Sequence, residues 1–456
     1  MITKIEKMCD YLITAKLVPW DLVAEDIENC LPIEMKIHLT TMETNLETFI
    51  KNKIIPPTKW TIDALIIVDA CLDKTWEILN SCHWQFVPIE YRYCYSLCSI
   101  LKAVLLEYQY DNNIKESTKN VILLKSIIQQ IDKGILLGAP LPNVSYLLPK
   151  IASELNNHIS KYRNKRKQEK TKYFQAVFII LLYVCSLAAK FLESSHLEEL
   201  IIDSKNLYDS ILPGCSEVAQ YVEPSMEFFY KEIFVPKKPA ILKDCIKHWK
   251  ALNRWKNIEY LIKIAGNRTV PIEIGSRYTD ENWTQQLLNF SEFLRKYVLV
   301  KSDQVGYLAQ HQLFDQIPEL KDDFAIPEYC NFTDNNDAET DDVQPDINAW
   351  FGPSGTISPL HFDPKNNLLC QVFGYKRIIL YHPHDSSNLY PYDTRLLNNT
   401  AQVDPLNPNY KKWPDFSKTK GFMAYLKPGE ILYIPPKWWH HVTSLTPSFS
   451  ISFWWN

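Results

Sequence analysis

Paired cysteines, long apolar runs and an excess of one charge are all missing from this chain, and each absence removes a class of protein. Its 11 cysteines include no Cys-x-x-Cys pair, and the nearest two, Cys94 and Cys98, are separated by three residues. An odd number without paired spacing argues against a disulfide framework or a structural zinc finger, so reduced thiols are expected. The greasiest stretch, Ala176 to Ala189 (AVFIILLYVCSLAA), falls short of the roughly 20 residues that a spanning helix needs. It reads as a buried core helix, and no membrane association is expected. The opening Met-Ile-Thr-Lys-Ile-Glu-Lys mixes acid and base where a secretory signal would be uninterruptedly apolar. Against 49 basic residues stand 53 acidic ones, a net charge of −4, which gives no footprint for bulk nucleic-acid binding. No internal repeat is visible.

What is present is the composition of a globular protein: 46% apolar, 22% charged, with 13 Trp, 25 Tyr and 20 Phe among 456 residues. That length suits two or three domains of roughly 100–200 residues each. Residues 1–212 read as helical, because apolar side chains recur at three- and four-residue steps, as in Leu124, Ile127, Ile128 and Ile131. Breakers separate these runs at Pro56-Pro57, Gly138-Ala-Pro140, Pro142 and Pro213-Gly214. A basic run between Lys161 and Lys172 reads first as a solvated face and second as an import or RNA-binding patch.

After Pro213-Gly214 the pattern changes, and residues 213–456 are expected to form a second, β-rich domain. Val235–Leu242 reads as a strand entered through prolines, and Thr269–Ile274 as another with Glu273 opposite Ile272 and Ile274. The acidic stretch between Phe332 and Val343 reads as an exposed loop. Asn367–Val372 and Arg377–Tyr381 flank Gly374 as a hairpin would, Glu430–Ile434 is a further strand, and Ser448–Phe453 alternates as a half-buried strand does. Many short strands with turn signals suggest a barrel or jelly roll. The fold class is therefore α+β.

The residues that carry chemistry begin with His361-Phe-Asp363. Side chains two apart on a strand share a face, so an imidazole and a carboxylate aim at one point. A second histidine would complete a two-His, one-carboxylate triad that leaves open positions on iron(II) for a co-substrate and oxygen. It is supplied 79 residues later by Ile434-Pro-Pro-Lys-Trp-Trp-His440-His441. Adjacent residues on an extended chain face opposite ways, so only one of His440 and His441 can serve. Lys376, fifteen residues past His361, is either a surface turn lysine or the partner of a dicarboxylic co-substrate.

His361-x-Asp363, Lys376 and Pro435-x-x-Trp438-x-His440 together resemble the JmjC oxygenases. The likeness extends from about residue 224 to 456 through Pro239-Ala-Ile-Leu-Lys, Arg268-Thr-Val-Pro, Glu273-Ile-Gly-Ser-Arg-Tyr-Thr-Asp280, Gly306 to Leu320, Asn348-Ala-Trp-Phe-Gly-Pro, Gly355 to His361, Pro428-Gly-Glu-Ile-Leu and the terminal Ser-Phe-Trp-Trp. The resemblance implies a double-stranded β-helix of two four-stranded sheets with flanking helices. It makes His361, Asp363 and His440 the iron(II) ligands. Tyr307, Ser358, Asn367 and Lys376 become contacts to 2-oxoglutarate, with O2 as the second co-substrate. A charge-assisted bond from Lys376 to a carboxylate agrees with ordinary chemistry.

Within the family, the narrower likeness implies hydroxylation of a side-chain carbon of arginine in a protein or peptide. Histone methyl-lysine demethylation is the second reading, and a non-catalytic cupin-like interaction module, which a lost ligand would favour, is the third. For arginine, Glu273 supplies a bidentate partner, Trp350 and Trp454 a sandwich for the guanidinium plane, and Tyr278 and Gln310 further contacts. Histone, ribosomal or chromatin-associated proteins are the expected partners, in nucleus and cytoplasm, with the chain a monomer. The cysteine pattern offers none of the zinc-binding reader domains of larger histone demethylases.

Overall fold

The computed structural model describes residues 12–81, 86–108, 118–161, 211–280, 282–300, 302–333 and 344–456. The apolar stretch Ala176–Ala189, the basic run beyond residue 161 and most of the acidic stretch before Val343 lie outside the described residues. The chain divides into two compact units. One holds the helices of the first third together with Lys263–Thr269, and the other holds the β-rich remainder. Among the described residues no helix is long and apolar enough to cross a membrane.

The helical unit contains α1 (Ile13–Leu17), α2 (Trp20–Cys30), α3 (Ile33–Lys51), α4 (Thr58–Ser81), α5 (Ile89–Glu107), α6 (Thr118–Leu137) and α7 (147–161). Pro56-Pro57 falls between α3 and α4, and Gly138 to Pro142 between α6 and α7, as their missing donors and fixed φ require. Leu124, Ile127, Ile128 and Ile131 all lie on the buried face of α6. The central helix is α5, along which Leu97, Cys98, Ile100, Leu101, Val104 and Leu105 are fully buried. Within this unit Asp132 takes two hydrogen bonds from the Arg268 guanidinium, at 3.0 and 2.7 Å, and one from the Thr269 amide at 2.6 Å.

The second unit is built from β1 (Cys215–Glu217), β2 (Ala219–Val222), β3 (Ala240–Lys243), β4 (Thr269–Ile274), β5 (Thr284–Asn289), β6 (Gly306–His311), β7 (Asp346–Gly352), β8 (Ile357–His361), β9 (Asn366–Phe373), β10 (Lys376–Tyr381), β11 (Gly421–Leu426), β12 (Ile431–Ile434), β13 (Trp439–Ser444) and β14 (Ser448–Trp455). Five strands form one sheet, in the order β1-β11-β10-β13-β8, and nine the other, β2-β3-β12-β9-β14-β7-β6-β4-β5. They contain two antiparallel quartets, β11-β10-β13-β8 and β12-β9-β14-β7, whose strands alternate between the sheets along the chain except at β10 and β11, which follow each other within one sheet. That winding is a double-stranded β-helix, extended by one strand on the first quartet and five on the second.

Three local expectations change. The segment Val235–Leu242 is a strand only from Ala240, because Pro236 and Pro239 cannot donate to a ladder and the chain ahead of them turns as a helix, Phe229–Phe234. The segments flanking Gly374 are no hairpin: β9 belongs to the nine-stranded sheet and β10 to the five-stranded one. Gly374 makes the crossing with φ +74°, and a Cβ there would meet the Pro447 carbonyl oxygen at 2.1 Å. Finally, β14 is buried on both faces. Its Phe449 and Phe453 pack among Trp249, Trp255, Phe324, Phe351 and Phe373, while its serines turn toward the polar interior, where Ser450 bonds Gln371 and Ser452 bonds Trp350.

Two apolar layers sandwich the five-stranded sheet. Ile378, Leu380, Leu426 and Val442 meet Leu369, Leu432 and Ile434 between the sheets. On the opposite face Ile379, Tyr381, Met423 and Trp439 are covered by Leu389, Ala401, Val403 and Phe416 from the long β10–β11 connection.

Candidate active site

The mouth of the barrel is shaped by a bulge. Strands β8 and β13 pair His361 with His440 and Ser358 with Val442, so three steps on β8 match two on β13. The extra residue restores the facing of the strand, and Ser358 and His361 both line the interior. Asp363 follows just beyond the strand end rather than on it. On the other side, β12 ends at Ile434, Pro435-Pro436 and a left-handed Lys437 (φ +63°) turn the chain, and His440 enters as the second residue of β13.

Asp363 Oδ2 lies 3.9 Å from His361 Nε2 and 3.5 Å from His440 Nε2, and the ligand atoms of the three residues fall within 4.8 Å of one another. The Nδ1 atoms of His361 and His440 sit 2.7 and 3.0 Å from the Pro359 and Trp438 carbonyls. A carbonyl only accepts, so both Nδ1 atoms carry a proton and both Nε2 atoms are turned toward the carboxylate. Burial, reinforced by His361, lowers His440 from 6.5 to about 4, which keeps its imidazole neutral. Asp363 Oδ2 is buried without a hydrogen-bond partner. Two imidazoles and an orphaned carboxylate oxygen are a donor set that fits a divalent transition metal and has no other evident use.

The register also separates the two competing histidines. His440 faces inward, whereas His441 pairs with Ile379 on the far face of β13, buried with neither ring nitrogen hydrogen-bonded. Desolvation lowers it to about 4.

Behind the triad lies a pocket lined by Tyr307, Trp350, Ser358, Asn367, Leu369, Lys376, Ile434, Val442 and Trp454 with the three triad residues. Lys376 is 1% exposed. It donates to the Tyr307 hydroxyl at 3.4 Å, and no described carboxylate lies within ion-pair distance of it. Burial therefore lowers its amine from 10.5 to about 7. Lys376 is thus no surface turn residue. Asn367 Oδ1 and Trp454 Nε1 are likewise buried without partners. An amine, an amide group, an indole N–H and hydroxyls turned into one pocket suit a small ligand carrying carboxylates.

The residues expected to hold a substrate side chain divide. Trp350 and Trp454 line the same cavity, but as neighbours on one wall. They stand on adjacent strands of one sheet, their rings 6.5 Å apart and tilted by 51°. Both side chains leave the same face of that sheet. Glu273, Tyr278 and Gln310 lie outside the cavity lining. Glu273 pairs with Tyr307 across β4 and β6, accepts from Trp283 Nε1 at 3.3 Å, and has its carboxyl raised by burial. Tyr278 meets the Thr400 hydroxyl at 3.1 Å, and desolvation pushes its phenol up to about 12. Gln310 is exposed, with φ +45°, where the β6–β7 register shifts.

Sequence reading missed the β10–β11 connection altogether. Its residues Asn399–Ala401 pair alongside β8: His361 bridges Thr400, the Ala401 amide donates to the Leu360 carbonyl at 2.7 Å, and the Phe362 amide donates to the Asn399 carbonyl at 3.0 Å. No strand periodicity marks this segment, and the turn-forming Asn398-Asn399 is its only signal.

Comparison with known proteins agrees with this geometry. Residues 225–456 match the family model described as a cupin-like domain. The chain is 38% identical over 405 residues to "Lysine-specific demethylase 8" of Xenopus tropicalis, covering 84% of this chain and 87% of that one. It is 37% identical over 394 residues to "Jumonji C domain-containing protein 5" of Drosophila melanogaster, covering 86% of each. It is also 43% identical over 244 residues to "Lysine-specific demethylase JMJ30" of Arabidopsis thaliana, covering 53% of this chain and 55% of that one. With a barrel of the right winding, the triad at its mouth and likeness over most of its length, the chain belongs to the cupin-like JmjC oxygenases.

Proposed function

We propose that this chain binds iron(II) through His361, Asp363 and His440, binds 2-oxoglutarate through Lys376, and hydroxylates a side-chain carbon of arginine in a protein or peptide substrate. The observation that carries the reading is the pocket in which an orphaned carboxylate oxygen, two imidazoles and a buried lysine without a carboxylate partner among the described residues converge. Bound there, iron(II) and 2-oxoglutarate supply the oxidising chemistry, one oxygen atom of O2 entering a substrate C–H bond and the other leaving in succinate with release of CO2.

The residues of the chain bind, orient and exclude water. Lys376 holds the distal carboxylate by a charge-assisted bond, with the Tyr307 hydroxyl beside it. Ser358 and Asn367 are within the same lining and orient the chain of the co-substrate. Trp350, Leu369, Val442 and Trp454 form an apolar wall that keeps solvent away from the reacting carbon. The carbonyl bonds to Nδ1 of His361 and His440 hold both rings with Nε2 toward the ligand position.

The choice of arginine rests on Glu273. A half-buried carboxylate served by a single indole N–H, next in register to Tyr307, suits a guanidinium that brings several donors. The names of two relatives support the other reading, methyl-lysine demethylation. Purified protein with iron(II), ascorbate and 2-oxoglutarate is offered an arginine peptide library and a methyl-lysine histone library, and the products are weighed by mass spectrometry. Gain of one oxygen on arginine, lost in His361→Ala, is the expected result. Loss of a methyl group from lysine with arginine untouched would replace hydroxylation with demethylation, and failure to form succinate would remove the enzymatic reading.

A further inference from the structure

The peptide that joins the two first triad residues is held from both ends by one side chain and its own backbone. Phe362, between His361 and Asp363, donates its amide to the Asn399 carbonyl at 3.0 Å, and its carbonyl accepts from Asn399 Nδ2 at 3.0 Å. Neighbouring bonds continue the pattern, with Leu360 O accepting from Ala401 N at 2.7 Å and Asp363 O from Lys437 N at 2.7 Å. Three of these four bonds are backbone to backbone and survive any substitution. The fourth depends on the identity of residue 399 alone.

This bond falls where the strand no longer fixes the chain. Strand β8 ends at His361, so Phe362 and Asp363 have no ladder partner from the sheet, while the carboxylate at 363 must still point at the same place as the imidazole at 361. A rotation of the 362 peptide would swing Asp363 Oδ2 away from both Nε2 atoms. We propose that Asn399 is a positioning residue: its side-chain amide locks the peptide between His361 and Asp363 and so pre-sets the angle at which the two ligands meet the metal. Asn399 touches neither ligand side chain and acts through the backbone between them. The proposal rests on the metal site argued above.

Metal binding without turnover tests it. Cobalt(II), whose visible absorption reports ligation, is titrated into the full chain free of 2-oxoglutarate, for the wild type and for Asn399→Ala, Asn399→Asp and Thr400→Ala. Loss of a supporting hydrogen bond around a metal ligand typically weakens metal binding about 10–100-fold. Asn399→Ala is expected to weaken cobalt binding about tenfold or more. Asn399→Asp keeps the size but sets a carboxylate against the Phe362 carbonyl, so it is expected to weaken binding at least as much. Thr400→Ala removes the Tyr278 contact and a 3.4 Å bond from the Thr400 hydroxyl to Asn399 Oδ1, but leaves the Nδ2 bond to the Phe362 carbonyl, so it is expected to bind as the wild type does. Apoprotein melting temperatures, unchanged in all three, separate misplacement of ligands from loss of fold. Cobalt binding by either Asn399 variant within twofold of wild type would overturn the clamp, as would equal weakening in Thr400→Ala. If the wild type itself takes up no cobalt, it is the metal site that fails.

Discussion

Lys376 shows how one residue links burial to function. A lysine placed 1% exposed without a carboxylate partner among the described residues pays the cost of desolvation, and its amine falls from 10.5 to about 7. The sign of the consequence follows. Between about 7 and 10.5 the unfolded chain holds the proton more tightly, so this group's contribution to stability rises with pH across that window and its destabilising effect is complete below about 7. A dicarboxylate ligand reverses the effect by favouring the charged amine. Titration calorimetry of 2-oxoglutarate in buffers of different ionisation enthalpy should therefore find proton uptake on binding at pH 8, vanishing in Lys376→Met. That variant should also bind 2-oxoglutarate about 10–100-fold more weakly, from loss of one charge-assisted bond. The lysine was identifiable from the sequence by its place after His361-x-Asp363. Its burial was not, because a lysine after a glycine turn is ordinarily exposed.

At the scale of elements, crossings between sheets matter more than strands themselves. Glu430–Ile434, Thr269–Ile274 and the terminal alternating segment were all legible as strands, since β-branched and aromatic runs bounded by turn residues need no distant partner to be recognised. Their pairing was not legible. β9 and β10, three residues apart in sequence, lie in opposite sheets, and only Gly374 makes so sharp a passage possible. Its φ of +74° and a Cβ-to-oxygen approach of 2.1 Å admit no side chain. Gly374→Ala is expected to cost about 2 kcal/mol or more, from the left-handed backbone and the clash together, read as a lowered denaturant midpoint at unchanged slope. The β8 bulge belongs to the same scale, because its one extra residue decides that His361 and Ser358 face the same interior.

Across the whole molecule, chain order and spatial grouping part company. Lys263–Thr269 belongs with the helices although it is flanked on both sides by the β-rich unit. The anchor of that segment is Arg268, 1% exposed and bonded to a fully buried Asp132. Removing one partner of such a pair leaves an uncompensated charge and typically costs about 3–5 kcal/mol. Asp132→Ala should lower stability by that order in urea unfolding, whereas the exposed pair Lys231–Glu227 should be removable at less than about 1 kcal/mol.

The sequence by itself determined which residues are candidates for the chemistry. Metal and carboxylate chemistry depends on which atoms are present and on short spacings, and both are local: His361-x-Asp363, Lys376 and the turn ending at His440 are readable without a fold. It also determined the class of each half, because hydrophobic period is local too. The tertiary structure alone decided which of His440 and His441 faces inward, that Trp350 and Trp454 stand side by side on adjacent strands, and that Asn399 reaches the peptide between His361 and Asp363. Each of these is set by register and sheet membership between segments tens of residues apart, and a single inserted residue on one strand reverses every facing that follows it.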